Sequence, residues 1–258
     1  MGTITNSNIF NGVAVAGNKI TGMAKGGNIF YRHDGSYAPF ATPILDLDFQ
    51  NNFIDKSPSA LTMVQGKGLP TFGLSGRKAG EYCANFNGSQ SIKTTTNLPI
   101  NSDKVTVAFW MKTTQTSIGL VTELSENLNI SGNNGFWIIL NNTSENKLEF
   151  LDRNNSVSDS NNIVRPNPNI NSGVWQHIVI TSDRALNGAN QSKVYVNGVL
   201  DFVAVQTNDT NNNYGNHILY IGQRAGNALR YVGSLMKYQV FNQAPTDAQV
   251  MEMYQNDL

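Results

Sequence analysis

Val105-Thr106-Val107-Ala108-Phe109-Trp110-Met111 divides its side chains between two faces, with Val105, Val107 and Phe109 on one and Thr106, Ala108 and Trp110 on the other. β-Branched and aromatic residues at a period of two mark a strand packed within a sheet. Runs of the same kind follow downstream at 135–140, 147–151, 176–181, 193–196, 218–222 and 235–241, and precede it at 44–49 and 81–86. The intervals between them are filled with Gly, Asn, Ser and Pro and hold too few helix formers for βαβ crossovers, so the sheets are expected to be antiparallel. The expected fold is all-β, a two-sheet antiparallel jelly-roll sandwich.

Two local signals refine this expectation. In Tyr195-Val196-Asn197-Gly198-Val199-Leu200, Asn-Gly suits both left-handed positions of a type I′ turn and sets the register of a hairpin. Thr246-Asp247-Ala248-Gln249 is a capping box with Thr246 as N-cap, followed by Val250, Met253 and Tyr254 at helical spacing, which predicts one short C-terminal helix.

Composition excludes several function classes. Lys+Arg and Asp+Glu both number 18, so no long-range field draws in nucleic acid or an anionic membrane. The single cysteine, Cys83, permits no intrachain disulfide and reads as a small buried apolar residue. The first residues, Met1-Gly2-Thr3-Ile4-Thr5-Asn6, carry neither the basic nor the apolar region of a signal peptide, and no window reaches the apolar length of a membrane span. Glycosylation at the sequons beginning at Asn87, Asn141 and Asn208 is not expected.

Residues 1–43 differ in character from 44–258. Short apolar groups, Val13-Ala14-Val15, Ile20 and Ile29-Phe30-Tyr31, are separated by the turn pairs Asn11-Gly12, Gly17-Asn18 and Gly26-Gly27, which predicts a small β-rich arm too poor in apolar residues to stand alone. The stretch Gly17 to Tyr31 resembles the glycine-punctuated β repeats of phage virion proteins. That resemblance implies anchoring to other virion proteins, or oligomerisation with copies of itself, a trimer being the expected homo-oligomer.

From Ile44 on, an ordered set of motifs carries a second resemblance. Phe86-Asn87-Gly88, Val107-Ala108-Phe109-Trp110-Met111-Lys112, Trp175-Gln176-His177-Ile178-Val179, Val194-Tyr195-Val196-Asn197-Gly198, Leu219-Tyr220-Ile221-Gly222 and Gly233-Ser234-Leu235 with Val240-Phe241-Asn242 together resemble the laminin-G-like, concanavalin-A-like jelly-roll superfamily. The resemblance implies glycan or protein binding, often with calcium at the rim. Two departures bear on calcium: Asn197 stands where the family commonly has Asp, and Leu235-Met236 where it has an acidic residue.

Calcium needs six to eight oxygen ligands with converging carboxylates. The oxygen-rich candidates are the loops 152–159, led by Asp152 and Arg153, and 207–214, which holds Asp209, Asn211, Asn212, Asn213 and Tyr214. The same residues are the candidate ligand contacts, with Tyr214 as the stacking platform and the Asn amides as hydrogen-bonding groups for sugar hydroxyls. Trp110, Trp137 and Trp175 lie in apolar runs and are expected to pack between the sheets. The nearest carboxylate pair, Glu123 and Glu126, would point to opposite faces of a strand, and His33, His177 and His217 are scattered, so no hydrolytic centre is expected. The expected function is a phage virion protein of fibre, spike or decoration type, displaying a jelly roll for host-surface glycan or protein binding, and located in the virion. The alternative is an extracellular carbohydrate-binding adhesin.

Overall fold

The computed structural model describes residues 40–125, 135–141, 147–153, 160–164, 168–186, 189–205, 213–224 and 228–257, together with four short strands between Val13 and Ile29. Those four form two antiparallel pairs, β1 (Val13–Val15) with β2 (Asn18–Ile20) and β3 (Ala24–Lys25) with β4 (Asn28–Ile29). The sandwich follows with β5 (Leu45–Leu47), β6 (Met63–Gln65), β7 (Thr71–Ser75), β8 (Tyr82–Asn87), β9 (Ile92–Thr94), β10 (Lys104–Lys112) and β11 (Gly119–Ser125). It continues with β12 (Phe136–Leu140), β13 (Leu148–Arg153), β14 (Ser160–Val164), β15 (Gln176–Asp183), β16 (Ala189–Val196), β17 (Val199–Val205), β18 (Ile218–Ile221) and β19 (Val232–Phe241), and ends in α1 (Asp247–Asp257).

The first sheet has the order β17-β16-β15-β10-β19-β8-β7, with β5 also on β19, and the second β14-β13-β12-β11-β18-β9-β6. The described pairings are antiparallel, as the absence of crossover helices led us to expect. Val105, Val107, Phe109 and Met111 of β10 face Phe136, Ile138, Leu140, Phe150, Leu219 and Ile221 of the second sheet in one continuous core. Burying each such side chain contributes about 1.5–3 kcal/mol.

β10 is buried on its other face as well, because α1 lies over the back of the first sheet. Ala108, Val179, Tyr195 and Phe241 pack there against Val250 and Met253, and the Phe40 ring meets that of Phe241 at a tilt, 4.8 Å between centroids. Trp110 sits on this back face, with Cys83, Met236, Trp175 and Tyr254 around it. The tryptophans therefore do not fill the space between the sheets: Trp110 backs the first sheet, and Trp137 lies on the outer face of the second. The alternation in β10 already separates Trp110 from Val107 and Phe109. The local signals hold: Asn197 and Gly198 both take positive φ, at 51° and 78°. Gln249 N–H donates to the Thr246 hydroxyl at 3.3 Å while Thr246 N–H donates to Gln249 Oε1 at 2.9 Å.

β11, at the centre of the second sheet, is absent from the strands read in the sequence. A bulge between Leu120 and Thr122 breaks its alternation, so Val121 and Thr122 both serve the core and only Glu123 resumes the outward face. After β18 the chain turns at Gly222, with φ +89° and a Phe86 ring atom 2.4 Å from where a Cβ would stand. Only glycine allows this turn, and the described residues on either side of it close on one another: Tyr231 N–H bonds Gly222 O at 3.0 Å, and Leu120 N–H bonds Leu229 O at 2.8 Å.

Candidate functional site

The outer face of the second sheet carries a row of side chains in cross-strand register. Val64 pairs with Lys93, Lys93 with Tyr220, Tyr220 with Glu123, Glu123 with Trp137, and Trp137 with Leu151, so six strands contribute one position each. Period two forces this grouping, since Met63, Ile92, Leu219, Ile221, Leu124, Phe136 and Phe150 take the inner face. The turn at Gly222 brings Arg224 back over the row. Its guanidinium stands 4.6 Å from the Trp137 ring centre, and its Nε lies 4.0 Å from Glu123 Oε1. Lys93 Nζ is 5.9 Å from the Tyr220 ring centre.

Exposure grades along the row. Glu123 is fully buried and Trp137 is 9% exposed, while Tyr220, Lys93, Val64 and Arg224 are partly open to solvent. Burial, and then the nearby Glu123 charge, push the Tyr220 hydroxyl above its ordinary pKa, so it stays protonated and can donate. The partly open Tyr220 ring with its hydroxyl, beside a guanidinium and an ammonium on one face of the sheet, can stack against an apolar ligand face and hydrogen-bond its hydroxyls. That is recognition chemistry.

The residues singled out in the sequence fare differently. Asp152 and Tyr214, read as members of two exposed loops, do come together, but inside the sandwich: Tyr214 OH donates to Asp152 Oδ2 at 2.9 Å, with Tyr214 2% and Asp152 0% exposed. Tyr214 is therefore no stacking platform. Asp152 also pairs with Arg184 at 2.6 Å and accepts from the Ser182 hydroxyl at 2.9 Å and Gln191 Nε2 at 3.1 Å. Arg184 in turn lies 3.6 Å over the Tyr214 ring. Asp152 comes from the second sheet and Ser182 and Gln191 from the first, so the group knots the two together. Asn213 is exposed. The side chain of Arg153, and Asp209, Asn211, Asn212 and Glu126, fall outside the described residues.

The calcium that the family resemblance implied does not fit Asp152. Its carboxylate is committed to Arg184, and a guanidinium at 2.6 Å stands where a cation would bind. Among the described residues no group of three or more His, Cys, Asp or Glu is placed to hold a metal. His177 serves the back of the first sheet, 5.1 Å from the Trp110 ring and 5.9 Å from that of Tyr254. Burial raises the Cys83 thiol pKa, as befits a packed, unreactive residue.

Residues 86–251 match the family model described as the concanavalin A-like lectin/glucanases superfamily. The chain belongs to that superfamily. Its concanavalin A-like domain is similar in structure to domain 4 of AbnA, a GH43 extracellular arabinanase from Geobacillus stearothermophilus, solved in complex with arabinotriose. That likeness has 19% identity and a TM-score of 0.58 over 83% of this chain and 99% of that one. The receptor binding domain of botulinum neurotoxin C/D mosaic serotype is similar at 14% identity and a TM-score of 0.61, over 83% of this chain and 51% of that one. The binding domain of Paraclostridial Mosquitocidal Protein 1 follows at 18% and 0.64, over 84% and 52%. This chain thus spans about half the length of those toxin binding domains. At these identities the likeness is one of fold. A comparison with curated protein sequences found no match.

The row itself escaped the sequence reading. Trp137 and Glu123 were each weighed there, one as core and one as half of a poor carboxylate pair, and only the register of β11, β12 and β18 sets them beside Tyr220. The available signal was parity: Trp137 is out of phase with Phe136, Ile138 and Leu140.

Proposed function

We propose that the jelly roll is a glycan-binding head and not an enzyme, and that it recognises sugar through the row formed by Trp137, Tyr220, Lys93 and Arg224. The observation that carries the reading is the partly open aromatic and cationic row on the outer face of the second sheet. Membership of a lectin and glucanase superfamily supports it, as does the arabinotriose held by the AbnA domain. Binding is favoured over hydrolysis because the row's one acid, Glu123, is wholly buried beside Arg224. On a glycan array the full chain should give saturable binding, and Tyr220→Ala should weaken it at least tenfold without lowering the melting temperature by more than a few degrees. Silence on every glycan, or undiminished binding by the variant, would overturn the reading.

The same proposal gives residues 1–43 the role of an arm that anchors or oligomerises the head in a phage virion, with an extracellular adhesin as the alternative setting. Two antiparallel strand pairs within 13–29, in a glycine-punctuated segment, support an arm that pairs with other chains. Deleting residues 1–39, which spares the contact of Phe40 with Phe241, should reduce the mass measured by light scattering from an oligomer, a trimer on this reading, to a monomer. An unchanged mass would remove the arm's role and leave the adhesin setting.

A further inference from the structure

We infer that the row selects anionic sugars, those bearing a carboxylate or a sulfate ester, and that Lys93 is the selecting residue. The inference rests on the glycan-binding reading above and adds the charge class of the ligand.

The two cations of the row stand in different electrostatic positions. Arg224 has Glu123 at 4.0 Å, so that pair adds no net charge to the face. The Lys93 ammonium makes no hydrogen bond or ion pair among the described residues, and it stands 5.9 Å from the Tyr220 ring centre, near the outer limit of a cation–π contact. Its row neighbours are Val64 on one side and Tyr220 on the other, neither of which is charged at neutral pH. An ammonium offers three donors and no acceptor, and those of Lys93 are left to a ligand.

The whole chain supplies no competing attraction. Its formal charge is zero, and at physiological ionic strength exposed charges are screened beyond about 8 Å. Any preference for an acidic ligand must therefore come from a cation at the contact itself. Lys93 is placed to supply it, because a sugar stacked on the Tyr220 ring would present its ring substituents to the neighbouring strand, β9. A neutral sugar there takes a hydrogen bond from Lys93, and an anionic one takes a charge-assisted bond that is roughly twice as strong.

The test compares matched hexasaccharides on the full chain by titration calorimetry: a neutral cellohexaose, a hexagalacturonate carrying carboxylates, and a heparin hexasaccharide carrying sulfates. At 50 mM NaCl at least one acidic probe should bind ten times more tightly than the neutral one, and the ratio should shrink several-fold at 300 mM. The two acidic arms separate carboxylate from sulfate recognition. Lys93→Gln should bring the acidic and neutral affinities within about twofold of each other, and Lys93→Arg should restore the preference. Equal binding of neutral and acidic probes by the natural chain removes the anion preference and leaves the glycan reading standing. A preference that survives Lys93→Gln removes the role of Lys93. Failure of both acidic probes, while a glycan array shows binding to neutral sugars, removes the anion preference alone, and silence on the whole array removes the glycan reading with it.

Discussion

Asp152→Ala lowers the unfolding free energy by about 3–5 kcal/mol, because it leaves a charged guanidinium buried with no counterion. Arg184 and Asp152 are both fully buried, and their 2.6 Å contact has no solvent to replace it. Burial, the largest single influence, would push Arg184 towards neutrality, but the charge interactions and hydrogen bonds with Asp152 and Tyr214 together outweigh it and raise the guanidinium pKa, so the charge is present in the folded protein. The substitution also strands the donors of Tyr214, Ser182 and Gln191, which all converge on Oδ2. Urea denaturation would read the loss directly. The double variant Asp152→Leu with Arg184→Met should recover a large part of it, since apolar residues of similar volume often replace a buried pair at little cost. A loss under about 1 kcal/mol for the single variant would overturn the prediction, and a double variant no better than the single would show that the cost does not come from the unpaired guanidinium.

The second large effect is on acid stability, through His177. Burial between Trp110 and Tyr254 is the main cause of a pKa lowered to about 4; Asp257 opposes it, and Lys237 and Arg77 act with it. The folded value lies below the unfolded one of about 6.5, so as pH falls the unfolded chain takes up the proton first. The stability is therefore complete above about pH 6.5 and is lost between there and pH 4. The full difference is on the order of 3 kcal/mol at 1.36 kcal/mol for each unit. His177→Gln removes this titration and leaves the other acid-sensitive groups in place. Between pH 7 and pH 4 the natural chain should lose about 3 kcal/mol more than the variant. Parallel pH profiles would overturn the assignment. Because His177 lies beneath Tyr254 and near Asp257, the first consequence of protonation should be loosening of α1, which the Arg77 side chain, bonded to the Asp257 carbonyl oxygen, and Lys237, 3.0 Å from the Asp257 carboxylate, hold at its C-terminal end.

The outer row and the knot show how far sequence reasoning reaches. β10, the Asn197-Gly198 hairpin and the Thr246 capping box were legible because each rests on interactions within a few residues: side-chain alternation, two positive φ values, one reciprocal pair of hydrogen bonds. β11 was not legible, since its bulge breaks the period by which strands are recognised. Tyr214 was misplaced for a related reason. Its sequence neighbours are polar, and polar neighbours ordinarily mean a solvated loop. The partners that take it inside, Asp152 and Arg184, lie 62 and 30 residues away in the chain.

The sequence by itself determined the all-β class, the two faces of each regular strand, the superfamily resemblance and the closing helix, all of which are encoded by local periodicity and short motifs. The tertiary structure alone decided which outward positions stand side by side. Lys93, Tyr220, Glu123 and Trp137 come from four strands spread over the chain, with Arg224 from the turn after β18. Their meeting depends on strand order and register. A shift of one residue in any strand would turn its member of the row into the core, and strand order and register are settled by the packing of the whole sandwich and not by any segment of it.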